Sequence, residues 1–175
     1  DTDFTSDEAI AYYEDALDEV INRAPEALRT MHINRGNRTI PAQYLDRLDF
    51  YMFQPGHNYE GQPEAWRLPQ DFIANYPKKP MVNSEPCYEQ MGASRNVYWR
   101  FTAPDCRASV WSSILSGSSP GVSHGAHGVR NWQTSQTHGP VPGEGYDLPF
   151  RRPNSLPIPV PWDFGPTHEL LPLLG

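Results

Sequence analysis

The segment KPMVNSEPCYEQMGASRNVYWRFTAPDCRASVWSSILSGSSPGVSHGAHGVRNW (79–132) decides the fold class. It opens on KPMVNS (79–84), a short apolar run closed by turn-forming residues, which is the pattern of a buried strand. Ala103 to Leu115 then reads as a helix. Thr102 is placed as its N-cap, Pro104 is tolerated in the first turn, and Val110, Trp111, Ile114 and Leu115 are expected to face a core. Gly117 ends that helix, and GVSHGA (121–126) predicts a second short strand running into a Gly-rich loop. Strand, helix and strand in this order predict parallel pairing through a helical crossover, because a tight hairpin cannot join strands that run the same way.

Working upstream, LRTMHI (28–33) and LDFYMF (48–53) are two more apolar runs, closed by RGN and PGHN, and both predict strands. Glu64 to Tyr76 predicts a helix that Pro69 should kink or break. Nearer the start, Thr5 and Glu8 fit a capping box, and Ile10, Tyr13, Leu17, Val20, Ile21 and Ala24 line one face of a helix stopped by Pro25. Its other face carries Glu14, Asp15, Asp18 and Glu19, a solvated acidic surface. Strands alternate with helices about four times, so the class is α/β. Residues 1–138 carry this pattern. From 139 to 175 it disappears: nine of the 19 prolines fall between Pro140 and Pro172, which predicts loop or extended packing, with Leu170, Leu171, Leu173 and Leu174 starting a final helix.

Composition narrows the partners. The 175 residues hold 14 Lys+Arg against 21 Asp+Glu, and the resulting charge of −7 opposes a surface built for phosphate backbones. Five Trp, nine Tyr and seven Phe give enough aromatic surface for a packed core. No apolar run approaches the ~18 residues that span a bilayer, and no basic-then-apolar leader opens the chain. Neither nucleic acid nor membrane is expected as a partner. The chain opens at Asp1, directly onto a helix signal, which predicts that it begins inside something longer. Cys87 and Cys106 show no paired metal-ligand spacing and read as two buried thiols.

The residues with catalytic potential fall at the ends of the predicted strands, where α/β sheets place their sites. His32 and Asn34 follow the first strand, Gln54, His57 and Asn58 the second, Glu85, Tyr88 and Glu89 the third, and His124 and His127 the fourth. Glu85 is the sharpest candidate. Lying between Asn83, Ser84 and Pro86, it is held in extended backbone facing the strand mouth, where a carboxylate can act as a nucleophile. The plainer alternative is a Glu paired with a neighbouring loop. Tyr88 and Glu89 could orient it, or Glu89 could itself be the functional acid. Trp66, Trp99, Trp111 and Trp132 offer sugar-stacking faces, although core packing is the commoner use of such rings.

Residues 79–132 resemble the signature region of the apiosidase-like glycoside hydrolases, in which a "KPV-N-EP-YE" strand precedes a "D-R-A-W-S-L-G" helix and a "G-YGAHG-W" strand. LRTMHINRGN…LDFYMFQPGHNYE (28–60) resembles that family's "H…LDF…Q-GH" segment. The resemblance implies that this chain is the C-terminal half, strands five to eight, of a (β/α)8 TIM barrel, with the N-terminal half as its missing partner. It also implies that Glu85 is the nucleophile at the end of strand seven, while the acid/base belongs to strand four, ahead of Asp1. His32, Gln54, His57 and His127 match pocket positions that bind sugar hydroxyls, and Asn83, Tyr88, Glu89, His124 and Trp132 complete the expected substrate contacts. His124 stands where the family usually has Tyr, and Arg130 where Trp is common. No cofactor and no metal are implied, and the substrate is a carbohydrate.

Two functions follow from these residues. One is a retaining glycosidase acting on polysaccharide side chains, the other a sugar-binding relic that kept the pocket without the chemistry. Metal hydrolysis through His124, His127 and His138 fits poorly, because those residues lie in a Gly-rich loop rather than on firm elements.

Overall fold

The computed structural model describes residues 2–94, 97–118, 120–130, 132–134, 151–164, 169 and 172. Helix α1 (Asp7–Arg23) comes first. Its N-cap is Ser6, whose hydroxyl accepts from the Ala9 N–H, while Thr5 bonds Asp3 instead, so the capping position expected at Thr5 moves by one residue. Leu17 is buried, and Ile10, Tyr13 and Ile21 pack beside it. Val20, at the margin of the apolar stripe, is exposed. On the acidic face Glu19 pairs with Arg23, and Asp18 with Arg47.

Among the described residues five strands follow: β1 (Tyr51–Phe53), β2 (Met81–Asn83), β3 (Gly92–Ser94), β4 (Val97–Arg100) and β5 (Gly121–Val122). β1, β2 and β5 form a parallel sheet in the order β1-β2-β5, with Tyr51 opposite Met81, Phe53 opposite Asn83, and Asn83 opposite Val122. The fold is therefore α/β around a parallel sheet. The 28–33 run, expected as a strand, contributes only two parallel bridges, His32 to Met52 and Ile33 to Thr2. Side chains hold it in place of a ladder: Asp49 accepts from the Arg29 backbone N–H at 2.7 Å and from its guanidinium, and Thr30 Oγ1 donates to Phe50 O at 2.8 Å.

Between these strands lie α2 (Ala42–Leu45), α3 (Glu64–Asn75) and α4 (Ala103–Leu115). Helix α3 runs unbroken through Pro69, contrary to the expected interruption. Helix α4 carries the expected start, a capping box between Thr102 and Asp105, and Gly117 follows its end at φ +118. Its buried stripe is Cys106, Ser109, Val110, Ser113 and Ile114. Leu115 lies about 100° around the helix from Ile114, so it is 71 % exposed rather than in the core, and Trp111 is half-buried.

Tyr51 and Phe53 project from β1 onto Phe72 of α3, with ring centroids 5.8 and 6.3 Å away, and anchor one core with Ile33, Leu48, Leu68 and Met81. A second core gathers Cys87, Ala93, Phe101, Cys106 and Val160. Val160 opens α6 (Val160–Asp163), which follows α5 (Arg152–Ser155), so the described part of the Pro-rich tail includes two short helices where loop was expected. Pro153 and Pro161 occupy first-turn positions, where a missing N–H costs nothing. Arg107 of α4 pairs with Asp163 of α6 at 2.5 Å. His138 and the leucines at 170, 171, 173 and 174 lie outside the described residues. Among the described residues no helix is long and apolar enough to cross a membrane.

Candidate functional site

Backbone bonds beyond the strand ends fix the site. Past β2, Ser84 N–H and Oγ both donate to Phe53 O, at 2.9 and 3.0 Å, and Ser123, past β5, donates its N–H to Asn83 O at 2.9 Å and its hydroxyl to Ser84 O. The next residue is Glu85. Its backbone N–H donates to Asn83 Oδ1 at 3.2 Å, and the Asn83 side-chain amide donates to Ser113 Oγ at 2.8 Å. Ser113 Oγ lies 2.9 Å from Ala65 O in α3. That carbonyl is available because residue 69, four positions on, is proline and has no N–H to give it. Pro69 thus frees one of the two carbonyls that Ser113 Oγ meets, the other being Ser109 O at 3.0 Å, and so one acceptor in the chain of contacts that reaches the Glu85 backbone.

The Glu85 carboxylate is 17 % exposed and meets two imidazoles, His57 Nε2 at 2.7 Å and His32 Nε2 at 3.4 Å. A carboxylate only accepts, so the Nε2–H groups are the donors. The Tyr88 side chain lies near the same carboxylate, close enough for the two to influence each other electrostatically. The hydrogen bond from His57 is the main reason that the Glu85 pKa is held below the usual carboxylate range, with desolvation opposing it and His32 and Arg130 adding smaller electrostatic support. Tyr88 moves the other way: burial, reinforced by the Glu85 charge, pushes its hydroxyl up to about 12, so it remains a proton donor at neutral pH. Its ring lies 4.3 Å from His57 and 5.8 Å from the Arg130 guanidinium. Gly125 also sits against that ring, where a Cβ would fall 2.4 Å from Tyr88 Cδ1, so only glycine admits Tyr88 to this position.

Of the residues expected from the sequence, Glu85, His57, His32, Tyr88 and Asn83 come together. Gln54 is buried close by and donates its amide to Ile33 O at 3.0 Å. Glu89 does not orient Glu85. It is 1 % exposed and turned to the second core, where Oε2 accepts from the Val160 N–H at 3.0 Å; burial raises its pKa, partly offset by that bond. His127 is equally apart: its Nδ1 faces the Arg100 guanidinium at 3.1 Å, and its backbone N–H bonds Glu89 O. His124 stacks edge-on against Phe164 at 5.3 Å, and burial lowers its pKa to about 4, so its ring is neutral at pH 7. Trp132 is 62 % exposed beneath the Arg152 guanidinium at 4.2 Å. Trp99 packs between Tyr59 and Phe101, at 5.5 and 5.3 Å. Sequence reasoning missed Ser113, for which a proline inside a predicted helix was the available signal. Among the described residues no group of three His, Cys, Asp or Glu side chains is placed to hold a metal ion.

A carboxylate kept ionised by two imidazoles and a nearby guanidinium, at the C-terminal end of a parallel strand, can attack an electrophilic carbon or stabilise a developing cation. Two solved structures share the fold. One, described as a glycoside hydrolase, has a TM-score of 0.70 and 23 % identity, covering 88 % of this chain. The other, a glycoside hydrolase family 5 protein from Bacteroides vulgatus ATCC 8482, has a TM-score of 0.72 and 21 % identity over 94 % of this chain. This chain spans 37 % of the length of each. A comparison with curated proteins gives no match. The family model described as "Apiosidase-like, catalytic domain" matches residues 1–163, and with nearly the whole sequence inside that match the chain belongs to the apiosidase-like catalytic-domain family, with a glycoside hydrolase-like fold.

Proposed function

We propose that this chain supplies the nucleophile side of a retaining glycoside hydrolase that cleaves bonds in polysaccharide side chains, with Glu85 as the nucleophile. The observation that carries the reading is the Glu85 carboxylate at the end of β2, held ionised by His57 at 2.7 Å and His32 at 3.4 Å. In the first step a Glu85 oxygen bonds to the anomeric carbon as the glycosidic C–O bond breaks, and the departing oxygen takes a proton from a second carboxylic acid. In the second step that residue, now a base, deprotonates a water that attacks the same carbon and releases Glu85.

Retention needs the two carboxyl groups ~5–5.5 Å apart. Among the described residues the groups acting on Glu85 are histidines, a tyrosine and an arginine, with no second carboxylate, and Glu89 is turned into the core. The acid/base is therefore assigned to the other half of a (β/α)8 barrel in which the 32–33 bridges, β1, β2 and β5 correspond to strands five to eight. The share of the structural relatives covered, 37 % in each case, supports this division.

The test uses the protein carrying both halves and an activated 2-deoxy-2-fluoroglycoside, which forms the glycosyl ester but hydrolyses it slowly. The adduct is expected on Glu85 in tryptic peptide 79–95, and Glu85→Gln should cut turnover by roughly 10⁴-fold or more with folding intact. Retention of activity within about tenfold, or an adduct on another residue, moves the nucleophile elsewhere. Oligosaccharide binding with neither turnover nor adduct would make the protein the non-catalytic relic.

A further inference from the structure

We propose that Cys87 and Cys106 form a reversible disulfide that ties the loop carrying Glu85 and Tyr88 to the first turns of α4. Both cysteines are fully buried as free thiols, and the Cys87 thiol donates to Cys106 Sγ at 3.8 Å, which is sulfur against sulfur. A disulfide needs ~2.05 Å, so the sulfurs must close by less than about 2 Å. Cys106 is fixed on a helix, whereas Cys87 lies outside regular structure between Glu85 and the single bridge at Glu89, so the adjustment falls on the loop side. Ala93, Phe101 and Val160 pack with the pair, with Trp99 beside them, the Glu89 and Asp105 carboxylates act on Cys106 from nearby, and no described set of three ligands competes for the thiols as a metal site.

The oxidant is a small-molecule disulfide such as glutathione disulfide. One cysteine thiolate attacks it, forming a mixed disulfide and releasing one glutathione thiolate; the second cysteine thiolate then attacks the protein-side sulfur and expels the other. The two protein thiols together lose two electrons and two protons, and the glutathione disulfide is reduced to two glutathione thiols. The Cys87 contact and burial push the Cys106 thiol far upward, so the attacking thiolate forms only when the loop opens, and exchange is limited by that opening. Once made, the bond closes the segment 87–106, which contains the β3–β4 hairpin, and restricts the unfolded chain.

The cysteines fall in different tryptic peptides, 79–95 and 101–107, so a non-reducing digest reads the link directly. The protein is incubated with glutathione disulfide in sub-denaturing urea, alkylated and digested. The expected result is a linked 79–95/101–107 pair, lighter than the sum of its parts by two hydrogens and abolished by dithiothreitol. The thermal midpoint should rise by about 5 °C or more, and Cys106→Ser should lose both effects. Recovery of both cysteines as alkylated thiols, as stable glutathione adducts, or in links between two copies of the chain would overturn the proposal. These readouts are independent of turnover, so they stand or fall separately from the assignment of Glu85.

Discussion

At Glu85 one short contact dominates. The 2.7 Å bond from His57 is the largest influence lowering its pKa, ahead of the electrostatic effects of His32 and Arg130. A carboxylate with a depressed folded-state pKa stabilises the fold above the ordinary carboxylate range, and that contribution disappears as pH falls through the depressed value. Removing His57 should therefore have two consequences. In the protein carrying the proposed N-terminal half as well, the acid limb of kcat/KM should move to higher pH in His57→Ala, and the value at neutral pH should fall by about 10–100-fold, as for a lost hydrogen bond to a charged group. His57→Gln keeps an N–H donor and should recover part of the loss. Measuring the pH profile of the three proteins decides it: an acid limb that stays in place in His57→Ala would mean that another group sets the Glu85 charge.

At the level of elements, Glu85 depends on a contact between two helices. Ser113 of α4 meets both Ala65 O of α3 and the Asn83 amide, all three residues being buried, and Pro69 gives Ala65 O no helical donor. Ser113→Ala should strand the carbonyl and the amide together. At about 1–3 kcal/mol for each unsatisfied buried group, the expected cost is roughly 2–6 kcal/mol, and a denaturant curve within about 0.5 kcal/mol of the parent would show that neither group depends on Ser113. Much of this scale was legible in the sequence. The runs expected as strands at 48–53, 79–84 and 121–126 contain β1, β2 and β5, and α3 and α4 lie within the expected helices at 64–76 and 103–115. What escaped has local causes. The run at 28–33 alternates like a strand, but its pairing is taken up by Arg29 with Asp49 and by Thr30 with Phe50 O, which only tertiary placement reveals. The β3–β4 hairpin was hidden because Ser94-Arg95-Asn96-Val97 lacks the Asn-Gly or Asp-Gly signature that marks tight turns. Glu89 follows Glu85 at a spacing that invites a paired-carboxylate reading, and only the Val160 N–H bond shows that it serves the second core.

At the scale of the whole molecule, the question is whether 175 residues with this sheet are self-sufficient. Two buried cores favour it. Against it, β5 pairs only with β2 among the described residues, leaving its other edge without a described partner. At the opposite end of the strands from Glu85, a cavity of about 810 Å³ opens among Tyr51, Phe72, Met81, Ile114 and the exposed Ile73 and Leu115. Leu28, Val20 and Trp162 are exposed as well. Net stability is only ~5–15 kcal/mol for an ordinary domain, and exposed apolar surface with an open strand edge recruits further copies. Expressed alone, residues 1–175 should therefore self-associate or melt over a broad temperature range, and should show no glycosidase activity because the acid/base is assigned to the other half. Sedimentation and a thermal melt on the isolated segment test this. A monomer with a sharp cooperative transition would mean that the two cores outweigh the open edge, and that the β1-β2-β5 sheet with the 32–33 bridges forms a complete folding unit rather than half of a barrel.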